Sequence, residues 1–123
     1  METPIEKVNL AAKLALIHEP WQPRIAGQVN DSHVKLVKLA GEFLWHHHEH
    51  EDELFLVVRG RFCMKLRTGD QWIEQGELII IPRGVEHCPY APDECEVLLV
   101  EPVSTLNTGN VTSDRTVAAP AAI

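Results

Sequence analysis

Imidazole and carboxylate side chains are concentrated in two short segments of this chain. The first segment, residues 45–53, reads WHHHEHEDE, and the second, residues 82–87, reads PRGVEH. Together the two segments hold five of the seven histidines. Borderline divalent metal ions prefer imidazole and carboxylate donors. The pattern therefore predicts a metal site, although it does not define the reaction that such a site would serve.

The spacing of these residues indicates which side chains can face one ion. Side chains two residues apart on a strand share a face, so His46 and His48 project together and His47 points away. Glu53 follows after a bend and can supply a carboxylate at the start of the next strand. His87 is the best candidate for a fourth ligand, because it follows a Pro-x-Gly turn and belongs to a distant strand.

The histidine cluster is also compatible with a different ligand set or with no metal at all. The run could be a solvated turn that binds no metal, or the site could use another triplet that includes His50. An affinity tag accounts for the run poorly, because the run is interior and interrupted by acidic residues. Glu49, Glu51 and Asp52 belong either to a solvated bend or to a set of hydrogen bonds to the N–H of a ligand imidazole.

The surrounding sequence has the pattern of an all-β domain. Short apolar stretches alternate with turns rich in Gly, Pro, Asn and Asp, as in a sandwich or barrel. The predicted strands are 24–29, 33–39, 42–48, 53–59, 61–67, 71–74, 78–81, 86–90 and 95–101. Residues 91–93 are predicted to be a turn. Residues 5–17 predict a short helix or an irregular arm, and the C-terminal segment predicts an extended arm that frays at its end.

Length and charge limit the class of protein. The chain has 123 residues and a net charge of -7, which indicates a single domain, residues 1–123, with a core of about 24–102 between arms 1–23 and 103–123. The acidic charge gives no electrostatic reason to bind nucleic acid or an anionic membrane. Without a secretory signal or an apolar run of about 20 residues, we expect a cytoplasmic protein. The three cysteines have no CxxC spacing and predict free, buried thiols.

Two stretches with characteristic glycines, histidines and a glutamate resemble the two motifs of the cupin family. They read Gly41-x4-His46-x-His48-x4-Glu53-x6-Gly60 and Gly76-x5-Pro82-x-Gly84-x2-His87. The first stretch has one residue fewer than is usual between its glycine and its first histidine. In the second, Ala91 stands where the motif usually ends in Asn. The interval between the stretches is short, as in small bacterial single-domain cupins, and sequences described as mannose-6-phosphate isomerase-like cupins are most similar.

The resemblance implies a jelly-roll barrel (double-stranded β-helix) in which four side chains bind one divalent metal ion per chain. The implied ligands are His46, His48, Glu53 and His87. Three histidines and one glutamate suit Mn, Fe, Ni, Co, Zn or Cu and do not distinguish among them.

We also predict a substrate pocket beside the metal. Leu44, Phe55 and Val57 share the parity of the ligands on their strands and are expected to form an apolar wall. His50, at the bend, is expected to lie at the mouth of this pocket. Tyr90 follows closely after the second motif and is the most plausible polar group near the metal.

The cupin family contains isomerases, dioxygenases, decarboxylases and lyases. The resemblance therefore implies a metal-dependent enzyme acting on a small oxygenated substrate, without selecting the reaction. The alternatives are a non-catalytic ligand-binding or sensor protein in which the metal is an anchor, and a protein with a purely structural metal. We also expect a two-fold homodimer in which residues 5–17 and 103–110 cover a sheet edge or the partner's barrel.

Overall fold

The computed structural model describes residues 4–123, and this part of the chain forms one short helix and seven strands. The helix is α1 (Leu10–Leu14). The strands are β1 (Arg24–Val29), β2 (Ser32–Glu42), β3 (Glu53–Arg59), β4 (Arg61–Leu66), β5 (Gln71–Glu74), β6 (Leu78–Ile81) and β7 (His87–Pro102). Among the described residues, no helix has the length and apolar character that crossing a membrane requires.

The strands form an antiparallel jelly roll organised around the long strand β7. One path of hydrogen-bonded strands runs β1-β2-β7-β3-β6, and β4 pairs with both β5 and β7. Residues 87–90 of β7 pair with β4, whereas residues 96–100 pair with β3. A single bent strand therefore contributes to both sides of the barrel, and the predicted all-β, jelly-roll fold is confirmed.

Two features of the predicted strand pattern are wrong. The strand expected over residues 42–48 is absent, because β2 ends at Glu42 and the following residues are irregular apart from an isolated bridge between His46 and His87. The predicted turn at residues 91–93 is also absent, and β7 runs straight through it. Leu39 pairs with Cys95 and Gly41 pairs with Ala91, so β7 has more residues than β2 between these two pairs and forms a bulge there. A bulge of this kind tolerates the missing N–H of a proline.

Alternation of inward and outward side chains fills the barrel. Val37 and Leu39 on β2, Phe55 on β3, and Val97 and Leu99 on β7 belong to one buried cluster. On the outer side of the sheet, a second cluster contains Leu14, Ile17 and Leu36. Burial of an aliphatic side chain contributes roughly 1.5–3 kcal/mol, and this packing explains why a helix of only five residues is stable.

The cysteine prediction is confirmed. Cys63, Cys88 and Cys95 are buried and free. Burial raises the pKa of the Cys95 thiol to about 12, so this side chain is an inert part of the core.

The C-terminal arm does not fray. Residues 121–123 lie beside the β1 edge, where the Ile25 N–H donates to the Ala121 carbonyl at 2.9 Å and the Ile123 N–H donates to the Ile25 carbonyl at 2.9 Å. Closer to the barrel, Thr105 and Thr108 are buried. The C-terminal arm therefore packs on the chain's own barrel, and its end covers a sheet edge.

Candidate metal centre

Four side chains converge inside the barrel, and they are the four that the sequence spacing and the motifs indicate. His46, His48, Glu53 and His87 are all buried, and one donor atom from each lies within 4.8 Å of the donor atoms of the others. Nε2 of His48 and Nε2 of His87 lie 3.3 and 3.4 Å from the same carboxylate oxygen, Oε1 of Glu53. The arrangement suits a divalent metal ion.

Backbone hydrogen bonds join the two segments that supply the histidines. The His46 N–H donates to the His87 carbonyl at 3.1 Å, and the His87 N–H donates back at 2.9 Å. The Gly84 N–H donates to the His48 carbonyl at 2.7 Å. Gly84 has a φ of 81°, a conformation that glycine adopts without strain. The glycine turn thus fixes the second segment against the first, and the imidazoles meet although no regular strand carries His46 and His48.

Carbonyl groups hold two of the imidazoles in the tautomer that can bind a metal. Nδ1 of His46 lies 2.9 Å from the Leu44 carbonyl oxygen, and Nδ1 of His87 lies 2.9 Å from the Val85 carbonyl oxygen. A neutral imidazole that donates through Nδ1 leaves a lone pair on Nε2. Burial, followed by the proximity of His87, lowers the pKa of His46 to about 4. His46 is therefore neutral at neutral pH.

The chemistry of the cluster fits a cation. Nε2 of His48, Nε2 of His87 and Oε1 of Glu53 are buried and have no hydrogen-bond partner. Leaving a buried acceptor unsatisfied costs about 1–3 kcal/mol, and a single bound ion would satisfy all three atoms. Burial opposes ionisation of Glu53, but the adjoining Glu101, His48 and His87 side chains lower its pKa well below the usual range. Glu53 therefore supplies a negative charge to the site.

The cluster borders a cavity inside the barrel. The cavity is small, with a volume of about 40 Å³, and both His46 and Glu53 line it. One side of the cluster is thus accessible to a small molecule that enters the barrel. Most of the remaining wall is apolar and is formed by Pro23, Val37, Leu39, Phe43, Phe55 and Leu99.

A buried ion pair that sequence reasoning missed lies beside the metal cluster. Lys35 Nζ and Glu101 Oε1 are 2.8 Å apart, and their side chains are 2% and 1% exposed. Glu101 also lines the cavity. Burial, and then the neighbouring Glu53 carboxylate, raise the pKa of Glu101 well above its usual range. The sequence carried a signal for Lys35. Side chains two residues apart on a strand face the same side, and Lys35 lies two residues before the inward-facing Val37 on β2.

Of the five predicted pocket residues, Phe55 lines the cavity and the other four do not. Leu44 is not part of the lining and contributes its carbonyl group to His46 instead. Val57 is 1% exposed and belongs to the core, outside the lining. His50 is exposed at the bend.

Tyr90 lies on the other face of its strand. It is three residues after His87 on β7, so the two side chains point in opposite directions. The Tyr90 ring instead lies 5.1 Å from the ammonium of Lys65. Tyr90 is not among the residues that line the cavity, because strand parity turns its side chain away from that of His87.

The C-terminal arm covers the histidine segment. The His47 N–H donates to Asn110 Oδ1 at 2.8 Å, and the Asn110 N–H donates to the His47 carbonyl at 3.0 Å. The His47 ring lies 3.3 Å from Glu49 at the surface and does not belong to the cluster. Gly109 fits closely here, since a Cβ atom at this position would collide with the His47 carbonyl and lie 3.1 Å from the His46 ring.

Gly109→Ala is therefore expected to weaken both the fold and the metal site. The residue has a φ of +56°, which costs a non-glycine residue about 1–2 kcal/mol, and the collision adds to that cost. We expect the free energy of unfolding to fall by about 2–4 kcal/mol and metal affinity to fall about 10-fold, as measured by urea denaturation and metal titration. Gly76→Ala is the control, because its φ is +82° and no atom lies within 4 Å. Equal effects of the two substitutions on metal affinity would contradict this assignment of Gly109.

Comparison with known proteins identifies the family. The Cupin_2 family, described as the cupin domain, matches residues 32–101, and the chain belongs to this family. The chain is 34% identical over 80 residues to the uncharacterized protein YdbB of Bacillus subtilis (strain 168), a match that covers 64% of this chain and 71% of that protein.

Solved structures agree with this assignment. A cupin-2 domain containing protein from Shewanella frigidimarina has a TM-score of 0.76 and 40% identity, covering 77% of this chain and 93% of that one. Protein NMB1881 from Neisseria meningitidis has a TM-score of 0.73 and 34% identity, covering 79% of this chain and 99% of that one. The chain is therefore a small bacterial-type cupin with a buried three-histidine, one-glutamate cluster able to bind a divalent metal.

Proposed function

We propose that this cupin is a metal-dependent enzyme that acts on a small oxygenated substrate, in the manner of an isomerase or a dioxygenase. Glu101 carries this proposal. It is the only titratable side chain among the described cavity-lining residues that is not part of the metal cluster. A binding protein has no need for such a group, whereas acid–base chemistry requires one within reach of the bound substrate.

Metal binding, exclusion of water and proton exchange are assigned to different residues of the site. Glu53 and the three histidines would hold a divalent ion, which would supply a Lewis acid for a substrate oxygen. The apolar wall would keep water away from the reacting atoms. Glu101 adjoins Glu53 and is held from its other side by Lys35, so its carboxyl group is fixed where it can exchange a proton with a substrate at the metal.

Two assays on metal-loaded protein test the proposal. For isomerase-type chemistry, hydroxyacetone in D2O is followed by NMR for exchange of the protons on the carbon that bears the hydroxyl group. For dioxygenase-type chemistry, oxygen consumption by the iron-loaded protein is followed with the same compound. We expect one of the two activities, and we expect Glu101→Gln to lower it by about 100-fold or more while metal content is unchanged.

The alternative is a non-catalytic protein that holds a small ligand against the metal. The predominantly apolar cavity favours it, because such a wall binds ligands whether or not they react. In that case neither proton exchange nor oxygen consumption rises above that of the metal-free protein, although small molecules still bind to the loaded site. This outcome would overturn the enzyme proposal and leave the metal site intact.

A second proposal concerns assembly. Leu78 and Ile80 on β6 are each 54% exposed, and they pair with Leu56 and Leu54 on β3. This outer apolar face, made by these four residues, lies at a sheet edge, since β6 pairs with β3 alone among the described strands. The strand Leu78–Ile81 has no charge or proline that would block pairing with another strand. We propose that a second copy of the chain covers this face in a two-fold dimer.

Ile80→Glu is expected to convert the dimer into a monomer. Each dimer would bury two copies of this side chain, and a buried unpaired charge is strongly unfavourable. We expect the dimer dissociation constant to rise by at least about 100-fold, as measured by size-exclusion chromatography with light scattering. Leu16→Glu is the control, because Leu16 is 60% exposed on the N-terminal arm. A wild-type protein that is monomeric at micromolar concentration would contradict the proposal.

A further inference from the structure

Polar and apolar groups are segregated within the barrel cavity. The polar end consists of His46, Glu53 and Glu101, which lie together. The rest of the wall is mainly aliphatic and aromatic, apart from Asn107 and Trp21. The Trp21 indole N–H already donates to the Ala40 carbonyl at 2.9 Å. A ligand that fills this space therefore meets hydrogen-bonding and metal-binding groups mainly at one end.

The charges in and around the cavity also limit which ligands it can bind. No lysine or arginine is among the described residues that line it. The nearby Lys35 is occupied by Glu101. The guanidinium of Arg115 lies 5.6 Å from the Phe43 ring and donates to the Glu42 carbonyl at 2.7 Å, outside the lining. A divalent ion bound by the Glu53 carboxylate leaves one net positive charge, which a single carboxylate or enolate neutralises and a phosphate dianion exceeds.

We infer that the ligand of this cavity is a small neutral or monoanionic molecule with one oxygen-bearing end and an apolar body, and that sugars and sugar phosphates are excluded. The inference rests on the proposed function only in requiring that the ligand binds at the metal. Each hydroxyl group placed against the apolar wall would lose its hydrogen bonds to water without gaining a partner, which weakens binding about 10- to 100-fold.

A matched pair of probes tests this inference. 2-Hydroxybutanoate and glycerate carry the same metal-binding 2-hydroxycarboxylate end and the same charge, and differ only in a terminal methyl or hydroxyl group. Each is titrated into the cobalt-loaded full chain, with binding read from the visible spectrum of the ion and by calorimetry. We expect 2-hydroxybutanoate to bind about 10- to 100-fold more tightly than glycerate, and mannose 6-phosphate to bind more weakly than either.

A pair of isosteric substitutions shows whether the cavity wall causes the preference. Val37→Thr places a hydroxyl group in the wall and is expected to reduce the preference several-fold. Val57→Thr makes the same change at a buried position outside the lining, and is expected to cost comparable stability while leaving the preference unchanged. A shift of equal size in both variants would contradict a direct role for the wall.

The outcomes separate this inference from the proposed function. Glycerate or mannose 6-phosphate binding as tightly as 2-hydroxybutanoate would overturn the inference, as would the failure of all three probes to bind to cobalt-loaded protein. An apolar preference in a protein that shows neither proton exchange nor oxygen consumption would support the inference and overturn the enzyme proposal alone.

Discussion

His48→Ala is expected to abolish stoichiometric binding of a divalent metal while leaving the fold intact. The substitution removes one of four donors and leaves three, and its ring is the one that shares the Glu53 carboxylate with His87. Loss of a partner outside the coordination sphere already costs about 10- to 100-fold in metal affinity, so loss of a ligand should cost more than about 100-fold. Elemental analysis of protein purified without a histidine tag measures the bound metal, and circular dichroism reports the fold.

His47→Ala is the matched control. His47 is adjacent in sequence and of identical chemistry, but its ring lies beside Glu49 at the surface and outside the four-residue cluster. We expect this variant to retain its metal. If His47→Ala lost the metal and His48→Ala kept it, the assignment of the histidines would be wrong by one residue.

Lys35→Met is expected to lower the free energy of unfolding by about 1–3 kcal/mol, because a buried carboxyl group loses its hydrogen-bond partner; a whole domain has about 5–15 kcal/mol. The substitution leaves Glu101 buried beside Glu53 without the ammonium group that lies 2.8 Å away. Urea denaturation in the presence of a chelator measures this cost without a contribution from bound metal.

Two further variants test whether the loss of stability arises from the buried pair. In Lys35→Met with Glu101→Leu, both buried polar groups are gone, and we expect most of the lost stability to return. Lys38→Met removes a lysine from the same strand whose partner, Glu94, is 60% exposed at 3.7 Å, and should cost less than about 1 kcal/mol. Equal losses for Lys35→Met and Lys38→Met would show that the buried pair has no special role.

The convergence of the four side chains was predictable because its signals are local. Two histidines separated by one residue point the same way in any extended backbone, so His46 and His48 meet although the expected strand over residues 42–48 is missing. Glu53 begins β3 as the pattern indicates. The Pro-x-Gly turn before His87 is a local signal as well, and Gly84 bonds to the His48 carbonyl in the folded chain.

Features that depend on non-local pairing were not predictable. The contact between Lys35 and Glu101 requires the register of β2 against β7, in which Lys35 lies opposite Leu99. A single sequence shows that Lys35 points inward but does not show which acidic residue it meets. The C-terminal arm lacks periodicity, so nothing in its sequence indicated that Gly109 and Asn110 pack on the histidine segment.

Diffraction data collected at the absorption edge of the bound metal test the central claim most directly. We predict one anomalous peak per chain, inside the barrel and bonded to Nε2 of His46, His48 and His87 and to the Glu53 carboxylate. The side of the ion that faces the cavity should be free of protein ligands. A peak on His47 or His50 at the surface, or a closed site that Glu101 completes as a ligand, would contradict this assignment.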